Sequence, residues 1–461
     1  MLEFRRKASE VALSLPVALL FFLAAALITY FKIEVIGVLI FVGLLTVLLL
    51  LCDDIMVTTL PFLLLCMFVL KCYDSFDTFI VFAGYALIPI TALVLHVVLT
   101  ENKFSIGKSF WGIVAVAVSV TLGGLFSISS AEYFSGTSLF YVTGLGIGML
   151  GAYLLMKREF IPSQRYSITE RLFALFYIAG CFGVFMLAQH YIAEFATIRE
   201  EGLEIQWSNN LSTMMMFFMP APFYYAITKN RLHFFVGVLF YLAIVASGSR
   251  GALLMGGVEF VLCLLYVATR DKYLRILSIL TILAGLYAVF THVDTLIQFF
   301  EVKEGEGIIS DDESRARLLR FSIKDFLDNP VFGQGIGYTG NSDTYNPKKG
   351  AANWYHMMIP QIIGSLGSVG ILAYGYQFYT RARLIFKKPT VQMMTLGLSY
   401  AGILLMSQVN PGEFCPIPYE LLTVLLFIFL ELPREELDGR KKGAFIPLFK
   451  KNITSTEDAL T

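Results

Sequence analysis

Residues 12–51 read ALSLPVALLFFLAAALITYFKIEVIGVLIFVGLLTVLLLL. This run holds two apolar stretches that meet near Lys32, and each is long enough to cross the ~30 Å hydrocarbon core of a bilayer as an α-helix. Arg5, Arg6 and Lys7 precede the first stretch, as they would in a signal peptide. No small-residue cleavage site followed by a polar domain comes after it, because the second apolar stretch follows at once. We therefore interpret the first stretch as a retained membrane helix.

The whole chain is apolar in the same way. Of its 461 residues, 57% are hydrophobic and 15% are charged, and the mean hydropathy is +0.70. Soluble domains carry roughly 25% charged residues, so this chain has too few to cover a soluble surface. Because backbone amides in lipid need partners within their own segment, the apolar runs should be helices. The sequence therefore predicts an all-α polytopic transmembrane bundle of about 12–14 spans. Their cores are predicted at 12–31, 34–51, 55–71, 78–99, 110–129, 137–156, 172–192, 210–227, 232–247, 251–269, 274–291, 357–379, 391–408 and 418–432.

Basic residues are unevenly divided between the two sides of this bundle. With the N-terminus in the cytoplasm and alternating spans, most of the 35 Lys and Arg residues fall in cytoplasmic segments, as the positive-inside rule expects. The predicted domains are a helix bundle over 1–291, an extracytoplasmic loop with amphipathic helices over 292–356, membrane helices over 357–432 and a cytoplasmic tail over 433–461. We expect the charged tail to be flexible. Loops as long as 292–356 are uncommon without a role, so we expect the functional site there.

Charge and cysteine content exclude several kinds of partner. The 35 Lys and Arg residues balance the 35 Asp and Glu residues, so net charge gives no reason to expect a nucleic acid. The six cysteines show no CxxC or Cys/His spacing. We predict neither a disulfide framework nor a metal site, and we expect no cofactor.

The loop contains an amphipathic helix over 311–330. Its acidic start suits the positive end of a helix dipole, and Asn329-Pro330 ends it. The predicted buried stripe consists of Ala316, Leu319, Ile323, Phe326 and Leu327. Arg315 falls on this stripe, whereas Arg317 and Arg320 point away from it. A buried arginine must be paired, so Arg315 is a candidate functional residue; the alternative is an arginine that snorkels over a membrane-surface helix.

A glycine-rich turn follows this helix. It reads Pro330-Val-Phe-Gly333-Gln-Gly335-Ile-Gly337, and no Gly-Lys-Ser/Thr follows it, so it is not a P-loop. No predicted strand precedes it, so it is not a dinucleotide fingerprint either. We interpret Gly333 and Gly335 as turn residues whose exposed amides could help to hold an anion.

Three further polar residues stand at predicted membrane boundaries or inside spans. His356 re-enters the membrane beside Trp354 and Tyr355, where it is either a proton acceptor or an interfacial residue of an aromatic belt. Arg250, in Ser249-Arg250-Gly251, lies in a tight outer hairpin, where it either grips an anion such as phosphate or ends a span by snorkelling. We expect Glu259, inside a span, to form a structural ion pair.

These features occur together in an order that resembles the O-antigen ligase and Wzy-type polymerase superfamily. They are the Ser-Arg-Gly hairpin at 249–251, Arg315 before the Pro330-x-x-Gly333-x-Gly335 turn, and His356 just before the next span. The resemblance covers roughly 235–380. A tryptophan that the family often has one turn after the loop arginine is absent, since Leu319 stands there. Arg317 or Arg320 is therefore an alternative to Arg315.

The resemblance implies a metal-independent glycosyltransferase of the bacterial cytoplasmic membrane. Its donor would be a glycan on undecaprenyl pyrophosphate, and its acceptor a glycan or lipid-linked hydroxyl. Arg250, Arg315 and His356 would be catalytic, and Arg317, Arg320, Gly333 and Gly335 would bind substrate. We favour a polysaccharide polymerase over a ligase that transfers the finished glycan to a lipid or protein. The resemblance also allows a chain-length regulator or a flippase as partner. Two other classes stay open: a lipid-linked glycan flippase or transporter, and a non-enzymatic scaffold or sensor.

Overall fold

The computed structural model describes residues 2–72, 76–127, 136–160, 165–194, 207–301, 311–337, 355–387, 389–410, 412–433 and 443–447. Regular secondary structure in these residues is helical, which confirms the predicted all-α class. The α-helices are α1 Leu2–Ala12, α2 Leu15–Tyr30, α3 Glu34–Leu51, α4 Thr59–Cys72, α5 Phe76–Leu99, α6 Phe110–Leu122, α7 Gly136–Thr143, α8 Met149–Glu159, α9 Ile168–Ala193, α10 Ser208–Phe218, α11 Pro220–Thr228, α12 His233–Ala246, α13 Arg250–Ala268, α14 Lys272–Thr291, α15 Val293–Glu301, α16 Asp311–Asp328, α17 Met358–Phe386, α18 Val391–Met406 and α19 Leu421–Leu430.

Eight helical segments in the described part of the chain are long and apolar enough to cross a membrane. They are Glu34–Leu51, Ile55–Cys72, Val81–Leu99, Ser138–Glu159, Ile168–Ala193, Arg250–Ala268, Lys272–Thr291 and Met358–Phe386. The pair α1 and α2, bent by 65°, makes a ninth candidate. Shorter apolar helices occupy Phe110–Leu122, His233–Ala246, Val391–Met406 and Pro416–Leu430. The chain is therefore a multi-pass membrane protein. One predicted span differs from the structure: residues 210–227 form two short helices, α10 and α11.

The helices pack as a bundle with two distinct ends. We call the end where α14 ends and α17 begins the loop end, and the opposite end, where α19 ends, the tail end. Helix α17 lies against α6 and against the loop helix α16, while α13 packs on α14 and α18. Helix α14 has only Leu274 and Ser278 buried, so most of its apolar surface is left for lipid.

Polar contacts at the tail end tie distant helices together. The Glu431 carboxylate accepts hydrogen bonds from the Ser109 amide at 2.7 Å and the Tyr153 hydroxyl at 2.9 Å, and it pairs with Lys157 at 2.8 Å. Glu159 pairs with His96 at 3.6 Å. Each of these contacts pairs a carboxylate with a donor or a basic group, as low-dielectric surroundings favour.

Four arginines that fall in or beside the predicted cytoplasmic segments are buried: Arg5, Arg158, Arg171 and Arg381. Arg171 is 2% exposed and Arg381 is 1% exposed. Arg171 donates a hydrogen bond of 2.8 Å to the carbonyl of Leu13, and its guanidinium lies 5.3 Å from the ring centre of Phe445. The guanidinium groups of Arg171 and Arg381 have partners inside the protein in place of water.

Part of the tail that we expected to be flexible is anchored. Among residues 443–447, the carbonyl of Gly443 accepts a hydrogen bond of 3.0 Å from the Ser167 amide, and the Ile446 amide donates to Leu13. The other residues of the predicted tail beyond Pro433 lie outside the described part of the chain.

The loop helix is confirmed at Asp311–Asp328, but its predicted buried face is wrong. Leu318, Ser322 and Asp325 are buried, whereas Leu319 and Ile323, both on the predicted stripe, are 42% and 46% exposed. A helix at a membrane boundary can turn its apolar stripe towards lipid and its small and polar side chains towards the protein. Here the face with Ser322 and Asp325 is the one buried against the rest of the protein, where α16 lies on α17.

Candidate active site

Helix α17 is broken close to the loop end. Gly367 has φ +59° and ψ −152°, a conformation that only glycine adopts without strain. In an unbroken helix the amides of Ser368 and Val369 would donate to the carbonyls of Gly364 and Ser365. The break opens both bonds and leaves four backbone groups in need of partners.

The glycine turn supplies all four partners. The amides of Gln334 and Gly335 donate to the carbonyls of Gly364 and Ser365, each at 2.9 Å. In the other direction, the amides of Ser368 and Val369 donate to the carbonyls of Pro330 and Val331, at 2.9 and 3.1 Å. Since an unpaired backbone group at a membrane boundary is costly, this exchange locks the turn into the broken helix.

The predicted turn conformation of Gly333 and Gly335 is confirmed. Their φ angles are +62° and +93°. The turn also meets the end of α6, where the Gly124 amide donates to the Phe332 carbonyl at 3.0 Å. A Cβ on Gly333 would lie 2.4 Å from the backbone carbon of Ser365, so the two chains approach too closely for any side chain. The contribution of these glycines to substrate binding stays a prediction.

Arg250 is the first residue of α13. Ser249 caps the helix, because its side-chain oxygen accepts the Ala252 amide at 3.2 Å, and its hydroxyl donates to Asn209 at 2.5 Å. The cap fixes the start of the helix and so the position from which the partly buried Arg250 side chain extends. An anion beside it would also face the positive end of the α13 dipole.

His356 lies in the bend that leads into α17. It has φ +53°, which is uncommon for a residue with a side chain, and it is partly buried. Two residues later, the Met358 amide donates to the carbonyl of Ser407 at 2.8 Å. The backbone on the C-terminal side of His356 is therefore attached to the end of α18.

Arg250 and His356 each lie within two residues of a contact with the same short segment, residues 407–410, which follows α18. A Cβ on Gly251, next to Arg250, would lie 2.9 Å from Cγ2 of Val409. Met358, two residues after His356, is hydrogen-bonded to Ser407. The fold thus brings these two predicted site residues to one end of the bundle, although 105 positions separate them in sequence.

The predicted loop arginines have different positions. The backbone of Arg315 belongs to α16, but its side chain lies outside the described part of the structure. Arg317 is partly buried and Arg320 is exposed. The argument that placed Arg315 on a buried stripe fails, since that stripe faces away from the protein, and the role of Arg315 stays a prediction.

Comparison with known families adds one match. The O-antigen ligase family model matches residues 235–375. Residues 235–375 of this chain are similar to the O-antigen ligase family. The match confirms the resemblance, and its range contains Arg250, the loop arginines, the glycine turn and His356. It supports a membrane enzyme that transfers or polymerises glycans. A search of curated proteins found no match.

One residue of the matched range was missed by sequence reasoning. Asp325 is 3% exposed, and its carboxylate accepts a hydrogen bond from the hydroxyl of Tyr355. Burial raises the pKa of Asp325 to about 7, although the Tyr355 hydrogen bond acts in the opposite direction. A buried carboxyl beside His356 belongs to the functional candidates. The usable signal was its spacing from Leu318 and Ser322, which puts all three on one helix face.

The bundle interior also holds more charge than expected. Arg381 donates to Glu413 at 2.6 Å, to Glu420 at 2.8 Å and to the Tyr400 hydroxyl at 3.0 Å. Charged groups therefore lie inside the described part of the bundle. The three charged groups bind one another, however, which is how a structural cluster satisfies buried charge.

Glu259 does not form the expected ion pair. It is fully buried, and neither carboxylate oxygen has a hydrogen-bond partner among the described residues. Its neighbour on α18 is Gly402, where a Cβ would lie 2.6 Å from both carboxylate oxygens. Glycine at 402 therefore leaves the space that the Glu259 side chain fills.

Proposed function

We propose that this chain polymerises or transfers oligosaccharides carried on undecaprenyl pyrophosphate at the outer face of the bacterial cytoplasmic membrane. The observation that carries the proposal is that Arg250 and His356, both within the range that matches the O-antigen ligase family, lie within two residues of contacts with the same segment, residues 407–410. In this proposal the loop end faces outward, and both termini lie in the cytoplasm, as the distribution of basic residues favours.

The proposed reaction is a displacement at the anomeric carbon of the donor glycan. An acceptor hydroxyl forms the new C–O bond, the bond from that carbon to the diphosphate oxygen breaks, and undecaprenyl pyrophosphate leaves. Arg250 and Arg315 hold the diphosphate and stabilise the charge that grows on the leaving oxygen. His356 accepts the proton of the acceptor hydroxyl. Metal independence is part of the proposal, because two guanidinium groups supply the positive charge that a metal would otherwise provide.

The broken helix α17 supports this reaction by holding the residues of the site in fixed positions. The bonds from the turn at 330–335 to α17 fix the chain on which both the loop helix and His356 are mounted. Pre-positioned groups contribute to catalysis because they need no reorganisation when charge develops. Gly333 and Gly335 then act by allowing this close packing, and Arg317 and Arg320 are proposed to contact the donor diphosphate or its first sugar.

The test uses purified protein in liposomes that contain the lipid-linked donor, without ATP, an ion gradient or added metal. Arg250→Ala, Arg315→Ala and His356→Ala are each expected to slow formation of longer or transferred glycan by about 100-fold or more, the usual effect of losing one such group. His292→Ala is the matched control, since His292 is an exposed histidine at the loop end. Wild-type product lengths from all three variants would disprove the assignment.

The same liposomes separate the proposal from a lipid-linked glycan flippase or a scaffold. A flippase moves the donor between leaflets and leaves its covalent structure unchanged, and a scaffold does neither. Surface glycans of a deletion strain then separate the two enzyme activities. Single repeat units on the cell surface would indicate a polymerase, which we favour, whereas full-length chains left on the carrier lipid would indicate a ligase.

A further inference from the structure

Tyr355, the residue before His356, is held at both its backbone and its side chain. Its amide donates a hydrogen bond of 3.0 Å to Gln361, and its hydroxyl donates to Oδ2 of Asp325. The side chain is fully buried against Gly364, where a Cβ would lie 2.8 Å from the phenol ring. Because both anchors act on one residue, they fix the direction in which the chain continues to His356.

Asp325 is itself held in place. Its backbone carbonyl accepts a hydrogen bond of 3.2 Å from the side-chain amide of Gln334, whose carbonyl oxygen accepts from the hydroxyl of Ser127. Gln334 belongs to the glycine turn that is locked into α17. Asp325 is therefore held in a fixed position by the glycine turn and α17, and its carboxylate is not the end of a mobile side chain.

His356 occupies a backbone conformation that needs such support. A positive φ is strained for a residue with a side chain, and it persists where the surroundings enforce it. The surroundings act from both sides, through Tyr355 before His356 and through the hydrogen bond from Met358 to Ser407 after it. Loss of the Tyr355 anchor would release one side and let the imidazole move.

Burial of a carboxyl group costs desolvation free energy. Holding a tyrosine in place therefore does not by itself explain why an aspartate stands at position 325. The charged groups near Asp325 on its own helix are Lys324 and Asp328, and the groups that bind it from other elements are the neutral side chains of Tyr355 and Gln334. An uncharged side chain of the same size would fill the space without the cost of desolvation. The combination of burial, one specific partner and the position of that partner, Tyr355, directly before His356 favours a functional reason.

We propose that Asp325 is a positioning residue that orients His356 through the hydroxyl of Tyr355. This inference rests on the proposed role of His356 as the proton acceptor. Asp325 contacts neither the donor nor the acceptor. It holds the tyrosine, the tyrosine holds the strained backbone of His356, and the position of the imidazole is thereby fixed.

Two conservative variants test the proposal. Tyr355→Phe removes only the hydroxyl, and Asp325→Asn keeps the shape of the side chain. Each is expected to lower kcat for glycan transfer by about 10-fold or more, since a displacement of about 1 Å can cost up to 100-fold. KM for the lipid-linked donor should change less than about 2-fold, because the arginines proposed to hold the donor are untouched. The limb of the kcat–pH profile assigned to His356 should shift in both variants.

The control is a matched pair at the tail end, where the Tyr166 hydroxyl donates to the Asp54 carboxylate at 2.8 Å. Tyr166→Phe and Asp54→Asn remove the same kind of bond far from His356 and should leave kcat and its pH profile unchanged. In a His356→Ala background, Tyr355→Phe should cause no further loss, since residues that act as a unit are non-additive.

The outcomes separate this inference from the proposed function. An active His356→Ala variant would refute the role of His356, and with it this inference. An inactive His356→Ala variant, together with wild-type kcat and pH profile in Tyr355→Phe and Asp325→Asn, would overturn the positioning role alone. An equal loss from Tyr355→Phe with and without His356 would also overturn it, because that pattern indicates a general structural effect. If Asp325→Asn does not fold, Tyr355→Phe decides.

Discussion

The amide of Gly335 donates a hydrogen bond of 2.9 Å to the carbonyl oxygen of Ser365. This carbonyl lies two residues before the break at Gly367, so its own helix cannot satisfy it. A loop residue thus completes the hydrogen bonding of a membrane helix. The glycine turn and α17 form one structural unit, and a change in either should be felt by both.

The first prediction concerns Gly333. Gly333→Ala should lower the free energy of unfolding by at least about 1–2 kcal/mol, because alanine is strained at φ +62° and its Cβ would lie 2.4 Å from the Ser365 backbone. Gly375→Ala is the control. Gly375 lies on α17, the helix that contains Ser365, and a Cβ added there meets open space. The measurement is the thermal midpoint in lipid nanodiscs. Equal midpoints for the two variants would contradict the close packing.

The second prediction is a pH dependence of stability. The folded protein keeps the Asp325 proton up to a pKa of about 7, whereas the unfolded chain loses it near the ordinary value of 3.8. This group therefore weakens the fold as pH rises from about 4 to about 7, and its effect is constant above that. Asp325→Asn removes the effect, so the variant should gain stability relative to wild type across this window.

The measurement is the difference in thermal midpoint between Asp325→Asn and wild type, in half-unit steps from pH 4 to pH 8. Only the difference counts, because other groups titrate in both proteins. Asp294→Asn, at an exposed position on α15, is the control. A constant difference across the range would show that Asp325 titrates outside this window.

The third prediction concerns the buried cluster of Arg381, Glu413 and Glu420. Arg381→Met should destabilise the fold by about 3–5 kcal/mol, because two buried carboxylates lose their cation. The triple variant Arg381→Met, Glu413→Gln, Glu420→Gln should recover most of this loss. Arg383→Met, at an exposed position two residues on, is the control. The measurement is the folded fraction by size-exclusion chromatography. A triple variant worse than Arg381→Met would argue against charge burial as the cause.

The fourth prediction couples Glu259 to Gly402. Gly402→Ala should lower the free energy of unfolding by about 1–3 kcal/mol, the usual effect of overpacking, because its Cβ would lie 2.6 Å from the Glu259 carboxylate. In a Glu259→Ala background the same substitution should cost much less, since the opposing atoms are gone. A double-mutant cycle of thermal midpoints measures this coupling. Strict additivity would mean that the two side chains do not meet.

The helices could be predicted from sequence because lipid offers the backbone no alternative partner. The predicted span 34–51 coincides with Glu34–Leu51, and the loop helix ends before Pro330 as expected. Hydropathy does not reveal which face of a boundary helix meets protein, since lipid and protein both accept leucine. That is why Leu319 and Ile323 were assigned to the core while Ser322 and Asp325 occupy it.

The site could be predicted only as a set of residues. Local motifs indicate Arg250, the glycine turn and His356, but the segment that joins them, residues 407–410, carries no motif of its own. Arg381 was counted as a loop residue because its partners, Glu413 and Glu420, lie 32 and 39 positions away. Motifs and hydropathy that are read over short stretches of sequence cannot detect such distant pairs. They cannot predict the positive φ of His356 either.

The outward-facing leucines and isoleucine of α16 have a practical consequence. Leu319, Ile323 and Leu327 are 42%, 46% and 70% exposed, and they point away from the protein that holds the opposite face of the helix. An amphipathic helix of this kind lies at the boundary between headgroups and acyl chains, and it fixes the depth at which the residues attached to it lie. Micelles, which are small and strongly curved, offer this ridge a poor substitute for a flat leaflet. Assays in planar lipid should therefore preserve activity that detergent extraction erodes.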